Sequence, residues 1–106
     1  MKKLYTVTIT FADFTEAVEQ YEANLPEEAV ELFFQKAECF ANYDRVKLID
    51  VMSRRIKDRN ALGHIKGLRG VWLINTGAEF LDFEGELEAI YGGWVIQTDP
   101  HGPRYS

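Results

Sequence analysis

The chain has a single cysteine, Cys39, among its 106 residues, so no internal disulfide can form and no thiolate spacing for a metal exists. That excludes a disulfide-stapled scaffold, a zinc finger and an iron–sulfur protein, and it fits a reducing, cytoplasmic compartment. Long apolar runs are missing too. The longest, such as VWLI at 71–74, fall far short of the roughly 18–20 residues a bilayer span needs. The MKK start leads into alternating residues instead of an apolar block, so neither a signal peptide nor a membrane partner is expected. Histidine is scarce. His64 and His101 have no serine, cysteine or carboxylate beside them in a catalytic arrangement. Gly92 and Gly93 lack the flanking glycines and following lysine of a phosphate loop, and the DxDxDG pattern of a calcium loop is absent. The expectation is a non-enzymatic protein with no catalytic residue, no cofactor and no metal.

What the chain does have is enough apolar material for one core: 46% hydrophobic and 13% aromatic residues, at a length typical of a single domain. Its charges are segregated. From Asp13 to Glu31 seven acids (Asp13, Glu16, Glu19, Glu22, Glu27, Glu28, Glu31) occur without a base, and from Glu79 to Glu88 five more (Glu79, Asp82, Glu84, Glu86, Glu88), again without one. Between Arg45 and Arg69 eight bases face only Asp50 and Asp58. A net charge of -5 therefore hides strong local fields of both signs.

Residues 3–11 alternate, with Tyr5, Val7, Ile9 and Phe11 on one side and Thr6, Thr8 and Thr10 on the other, which predicts a half-buried strand. Residues 13–23 admit two readings. Phe14, Ala17, Val18 and Tyr21 have helical spacing behind a capping-box pair, Asp13 and Glu16; alternatively ADFT turns a hairpin and Ala17, Tyr21 and Ala23 share a strand face. The hairpin is favoured. From Pro26 to about Asn42 the stripe of Val30, Phe33, Phe34, Ala37 and Ala41, with Glu27 and Glu28 at the start, predicts the main helix. Asp44 to Ile56, rich in branched aliphatics, reads as a long strand, and 57–67 as a loop. Strands follow at 68–75 and 79–83, then a short helical turn over 86–91 stopped by Gly92 and Gly93, and a last strand at 94–97. Residues 1–98 then make one domain, and 99–106 a flexible tail. The fold class is α+β: an antiparallel sheet of about four to five strands with one principal helix packed on one face.

Two charged sets are candidate sites. If 46–56 and 68–75 pair as strands, Arg54, Arg55, Lys57, Arg59, His64, Lys66 and Arg69 crowd one end of a hairpin, within a Debye length of roughly 8 Å, and offer a grip for phosphate or for an acidic partner. The same residues also suit a plain solvated loop. No aromatic lies between 54 and 71, which argues against base stacking there. The acids Glu79, Asp82, Glu84, Glu86 and Glu88 suit a solvated turn, or a surface that meets a basic groove and displaces a phosphate chain from it. Glu84, Glu86 and Glu88 would share one face if extended. Cys39 reads as a core or half-buried thiol, and Trp72 and Trp94 as core or sheet-face residues; a tryptophan on a solvent-facing sheet is a natural binding hot spot.

The runs YEANLPEEAVELF, AECF, RVKLIDV and GVWLI, over about residues 17–75, resemble the strand, helix, strand, strand core of several small phage-borne proteins. Among these the chain is similar to certain anti-CRISPR inhibitors, in which a short sheet carries one helix and the protein binds a CRISPR surveillance complex. It departs from them in the basic 57–67 connection and in about thirty further residues at the end. The resemblance implies a binder that occludes another molecule's nucleic-acid site. Together these readings give an expected function: a protein that inhibits or modulates a nucleic-acid-handling complex through its charged surfaces. Its partner is then a protein or ribonucleoprotein complex. Direct nucleic-acid binding by residues 54–69 is the rival, and a homodimer through exposed sheet edges is a further possibility.

Overall fold

The structure, a computed structural model, describes residues 2–41, 44–59, 62–64, 67–75, 77–81 and 83–98, leaving aside the side chains at 55–59, 64, 78 and 80. The fold is α+β, as the pattern predicts. Its elements are β1 (Lys3–Phe11), β2 (Glu16–Ala23), α1 (Pro26–Lys36), a 3-10 turn (Glu38–Phe40), α2 (Arg45–Arg59), β3 (Leu62–His64), β4 (Val71–Ile74), β5 (Ala78–Leu81) and β6 (Leu87–Thr98). All pairings are antiparallel. Five strands run in the order β2-β1-β6-β4-β3, and β5 pairs with the first part of β6. The expected tail, 99–106, lies outside the described residues.

The alternation in β1 does what it predicts. Tyr5, Val7 and Ile9 are buried under the helices while Thr6, Thr8 and Thr10 face the other way. The hairpin reading of 13–23 holds. Phe11 N–H donates to Thr15 O at 2.8 Å and Phe14 N–H to Phe11 O at 3.0 Å. Asp13 accepts the Thr15 N–H at 3.0 Å, and the bonds from Thr15's hydroxyl and N–H hold its carboxyl below the usual range. Phe14 has φ 66°, the left-handed conformation that a hairpin loop of this kind usually gives to glycine, and its ring is 82% exposed.

Helix α1 is shorter than its apolar stripe suggests, ending at Lys36. Ala37 turns extended, and the chain tightens into the 3-10 turn that carries Phe40 back to the core. Arg45 reaches back to this helix end: its guanidinium donates to Gln35 O and to Ala37 O, the latter also accepting the Phe40 N–H at 3.2 Å.

Residues 44–56 are a correction. They are not a strand but the start of α2. Asp44 accepts the Lys47 N–H at 3.2 Å, an N-cap bond to the third helical residue, while Leu48 and Met52 place one turn apart the apolar groups that enter the core. Branched residues here decorate a helix because tertiary packing against α1 outweighs their β preference. A second correction concerns 86–91, which begin β6 and form no helical turn. Gly92 and Gly93 lie inside that strand. A Cβ on Gly93 would sit 1.8 Å from Thr8 O, so glycine is what lets β6 approach β1. Gly92 (φ 129°) follows Tyr91, the extra residue of a bulge where the β1 register slips between Thr10 and Phe11.

Both helices contribute to one core on one side of the sheet. Phe33, Phe34 and Phe40 form its aromatic centre, joined to the strands by Tyr21 on Phe33 (6.3 Å) and Phe11 on Phe40 (5.9 Å). Each buried phenylalanine contributes about 2–3 kcal/mol through area removed from water, and each edge-on or tilted ring pair about 1 kcal/mol beyond that.

Candidate interaction surface

The strand registers define what the sheet shows on the side away from the helices. Leu73, Trp94, Thr8 and Val18 stand in one row across β4, β6, β1 and β2; Val71, Ile96, Thr6 and Gln20 form the next. At the expected strand spacing each row is about 14 Å long. Trp94 is 41% exposed, Ile96 37% and Val18 57%. Solvent-facing antiparallel strands usually alternate apolar with polar side chains; here the outward set is itself branched and aromatic.

The threonines between these ridges have their hydroxyls engaged. Thr8 Oγ1 accepts the Trp94 N–H at 3.2 Å, Thr6 Oγ1 is bonded to Thr98 Oγ1 (2.6 Å) and to Gln20 Nε2 (3.0 Å), and Thr10 donates to Glu16 (3.4 Å). They form a column between Trp94 and Ile96 on β6 and Val18 on β2.

The charges at outward strand positions have one sign. Among the described residues no lysine or arginine occupies an outward strand position, whereas Glu16 and Glu22 on β2 and Glu79 on β5 do. More apolar groups gather at one end. Ala12 N–H donates to Ala89 O at 2.9 Å, tying the Phe14 turn beside the β5–β6 hairpin, where Leu81, Phe83, Leu87 and Tyr91 are exposed.

The acidic candidates Glu79, Glu84, Glu86 and Glu88 all belong to the β5–β6 hairpin; Asp82 lies outside the described residues. They do not share one extended face. Gly85, at φ 82°, turns the chain, and Glu88 pairs with Phe80 on the side opposite Glu79 and Ala89. The carboxylates therefore border the hairpin tip on both sides.

The hairpin expected to gather the basic candidates does not form, because its first strand is a helix. Arg54, Arg55, Lys57 and Arg59 belong to α2, His64 to β3, and Arg69 to the turn before β4. Lys66 and the side chains of Arg55, Lys57, Arg59 and His64 lie outside the described residues, as does His101. Arg54 is bonded to Asp50 at 2.7 Å along the helix. Arg45, which the sequence does not mark out, clasps the end of α1.

No protein-family model, curated protein or solved structure matches this chain.

The functional reading therefore rests on the surface. Cys39 sits in the 3-10 turn and is exposed, not a core thiol. Desolvation nevertheless pushes it up to about 11, with Glu19 adding to the shift, so it stays protonated at neutral pH and is a poor nucleophile. Trp72 faces the core side, edge-on to Tyr5 at 6.0 Å, leaving Trp94 as the tryptophan of the open face. A cleft of about 290 Å3 between β2 and α1 carries Glu22, Glu28 and Glu31 against Lys2. Among the described residues no group of three or more His, Cys, Asp or Glu is placed to hold a metal ion, and no helix is long and apolar enough to cross a membrane.

Proposed function

We propose that this is a non-enzymatic interaction protein that inhibits or modulates a nucleic-acid-handling complex by seating acidic surface on that complex's basic groove. One observation carries the reading: a broad outward sheet face holds carboxylates and apolar side chains and, at its described strand positions, no lysine or arginine. Such a surface repels phosphate and attracts the cationic groove that phosphate normally fills. The likeness to phage-borne CRISPR inhibitors points the same way. Direct nucleic-acid binding by the 54–69 bases is less favoured, since those residues are divided between α2, β3 and a turn, and Arg54 already engages Asp50.

Affinity capture from a bacterial lysate tests the proposal. The expected result is recovery of a nucleic-acid-handling protein that short nucleic acid displaces and that Glu79→Lys, Glu84→Lys, Glu86→Lys and Glu88→Lys together abolish. Capture that survives the four reversals, or that yields no such protein, ends it. The rival requires a shift of short DNA or RNA at low salt that weakens roughly a thousandfold between about 50 and 200 mM, as about six phosphate contacts demand.

A further inference from the structure

We infer that the open sheet face is the docking site for a partner protein presenting an apolar ridge flanked by lysine or arginine, with Trp94 as its central anchor. This deepens the reading above and rests on it. The shape comes first. Trp94 and Ile96 stand beside a column of threonines whose hydroxyl oxygens are engaged within the sheet, with Val18 beyond it. That strip offers chiefly methyl and ring surface, so what fits it is an apolar ridge such as one side of a helix. Tryptophan at the middle of such a patch is the residue type that dominates binding energy when a partner seals it from water.

Charge then chooses the occupant. Glu16 and Glu22 run along the β2 margin and Glu79 stands at the hairpin. Phosphate backbones and anionic lipid headgroups meet like charge at these positions. A second copy meets the same carboxylates, on a chain of net charge -5. A basic-flanked protein ridge satisfies both the apolar strip and its acidic border.

The test uses the full chain and three short synthetic helical peptides: leucine on one face with lysine elsewhere, the leucine–glutamate counterpart, and a serine–lysine counterpart without the apolar face. Trp94 is followed by its emission in a Trp72→Phe chain. The two indole N–H resonances of the unsubstituted chain do the same work without a substitution. The leucine–lysine peptide is expected to shift Trp94 to shorter wavelength and perturb its indole signal. Ile96→Lys, with unchanged circular dichroism, is expected to weaken binding by at least about tenfold. Glu16→Lys with Glu22→Lys lowers affinity chiefly at low ionic strength.

The inference is overturned by an unmoved Trp94 signal, by equal binding of either control peptide, or by indifference to Ile96→Lys. It is likewise overturned by concentration-dependent dimerisation that Ile96→Lys abolishes, since a second copy then covers the face. The two failures are separable: a peptide that seats on Trp94 while lysate capture yields no nucleic-acid-handling partner sinks the functional reading alone, and the reverse sinks this inference alone.

Discussion

The strands β1, β4 and β6 build two surfaces from alternate residues of the same segments. Tyr5, Val7, Ile9, Ile74 and Val95 look toward the helices and are closed to solvent; Thr8, Leu73, Trp94 and Ile96 look away and remain partly open. Both sets are branched or aromatic, so side-chain type alone does not distinguish them. What differs is the supply of helices. Phe33, Phe34 and Phe40 with Leu48 and Met52 close one side, and among the described residues no helix faces the other. A surface with core-like composition and no cover is unusual for a protein that works alone.

The strongest way to break the comparison is to empty the covered side. Phe33→Ala removes a ring that touches Tyr21, Phe34 and Phe40, and should cost about 3–5 kcal/mol in chemical denaturation. Trp94→Ala removes an even larger side chain from the open side; its expected cost is below about 1.5 kcal/mol, because much of that indole is already in water. Equal losses for the two variants would mean the faces are not energetically distinct.

A smaller effect has the opposite sign. Phe14→Gly relieves a left-handed phenylalanine that buries little, and should raise stability by about 0.5–1 kcal/mol. No gain in melting temperature would show the ring packed on the sheet end and would remove Phe14 from the exposed apolar set. The least costly probe leaves the chain unchanged. Cys39 alkylation should climb with pH toward a midpoint near 11, since desolvation disfavours the thiolate. A midpoint at the ordinary thiol value of 9.0 would show that the helix side imposes no desolvation there.

Much of the fold was legible because its signals are local. Threonines alternating with Tyr5, Val7 and Ile9 mark β1, the stripe of Val30, Phe33 and Phe34 marks α1, and ADFT followed by Ala17, Tyr21 and Ala23 marks the hairpin. α2 was misread on its branched residues, although Asp44 as cap and the four-residue interval from Leu48 to Met52 were there to be found. Gly93 invited a helix stop because its reason, Thr8 O on a strand 86 positions away in sequence from Trp94, is not a local signal. The open face was half legible. Its threonines and the option of a solvent-facing tryptophan were readable, but whether a helix would cover Trp94 depended on the path of the whole chain. The hairpin expected to carry the basic set went with the misread strand.

β6 is the only described strand that borders β1, β4 and β5 together. During synthesis, then, the β1–β2 hairpin waits with one side of β1 unmatched until residues 87–98 leave the ribosome, and the sheet is knit by the last of its strands to be made. Closure across that sequence separation is entropically slow, so the sheet should form only after β6 has emerged.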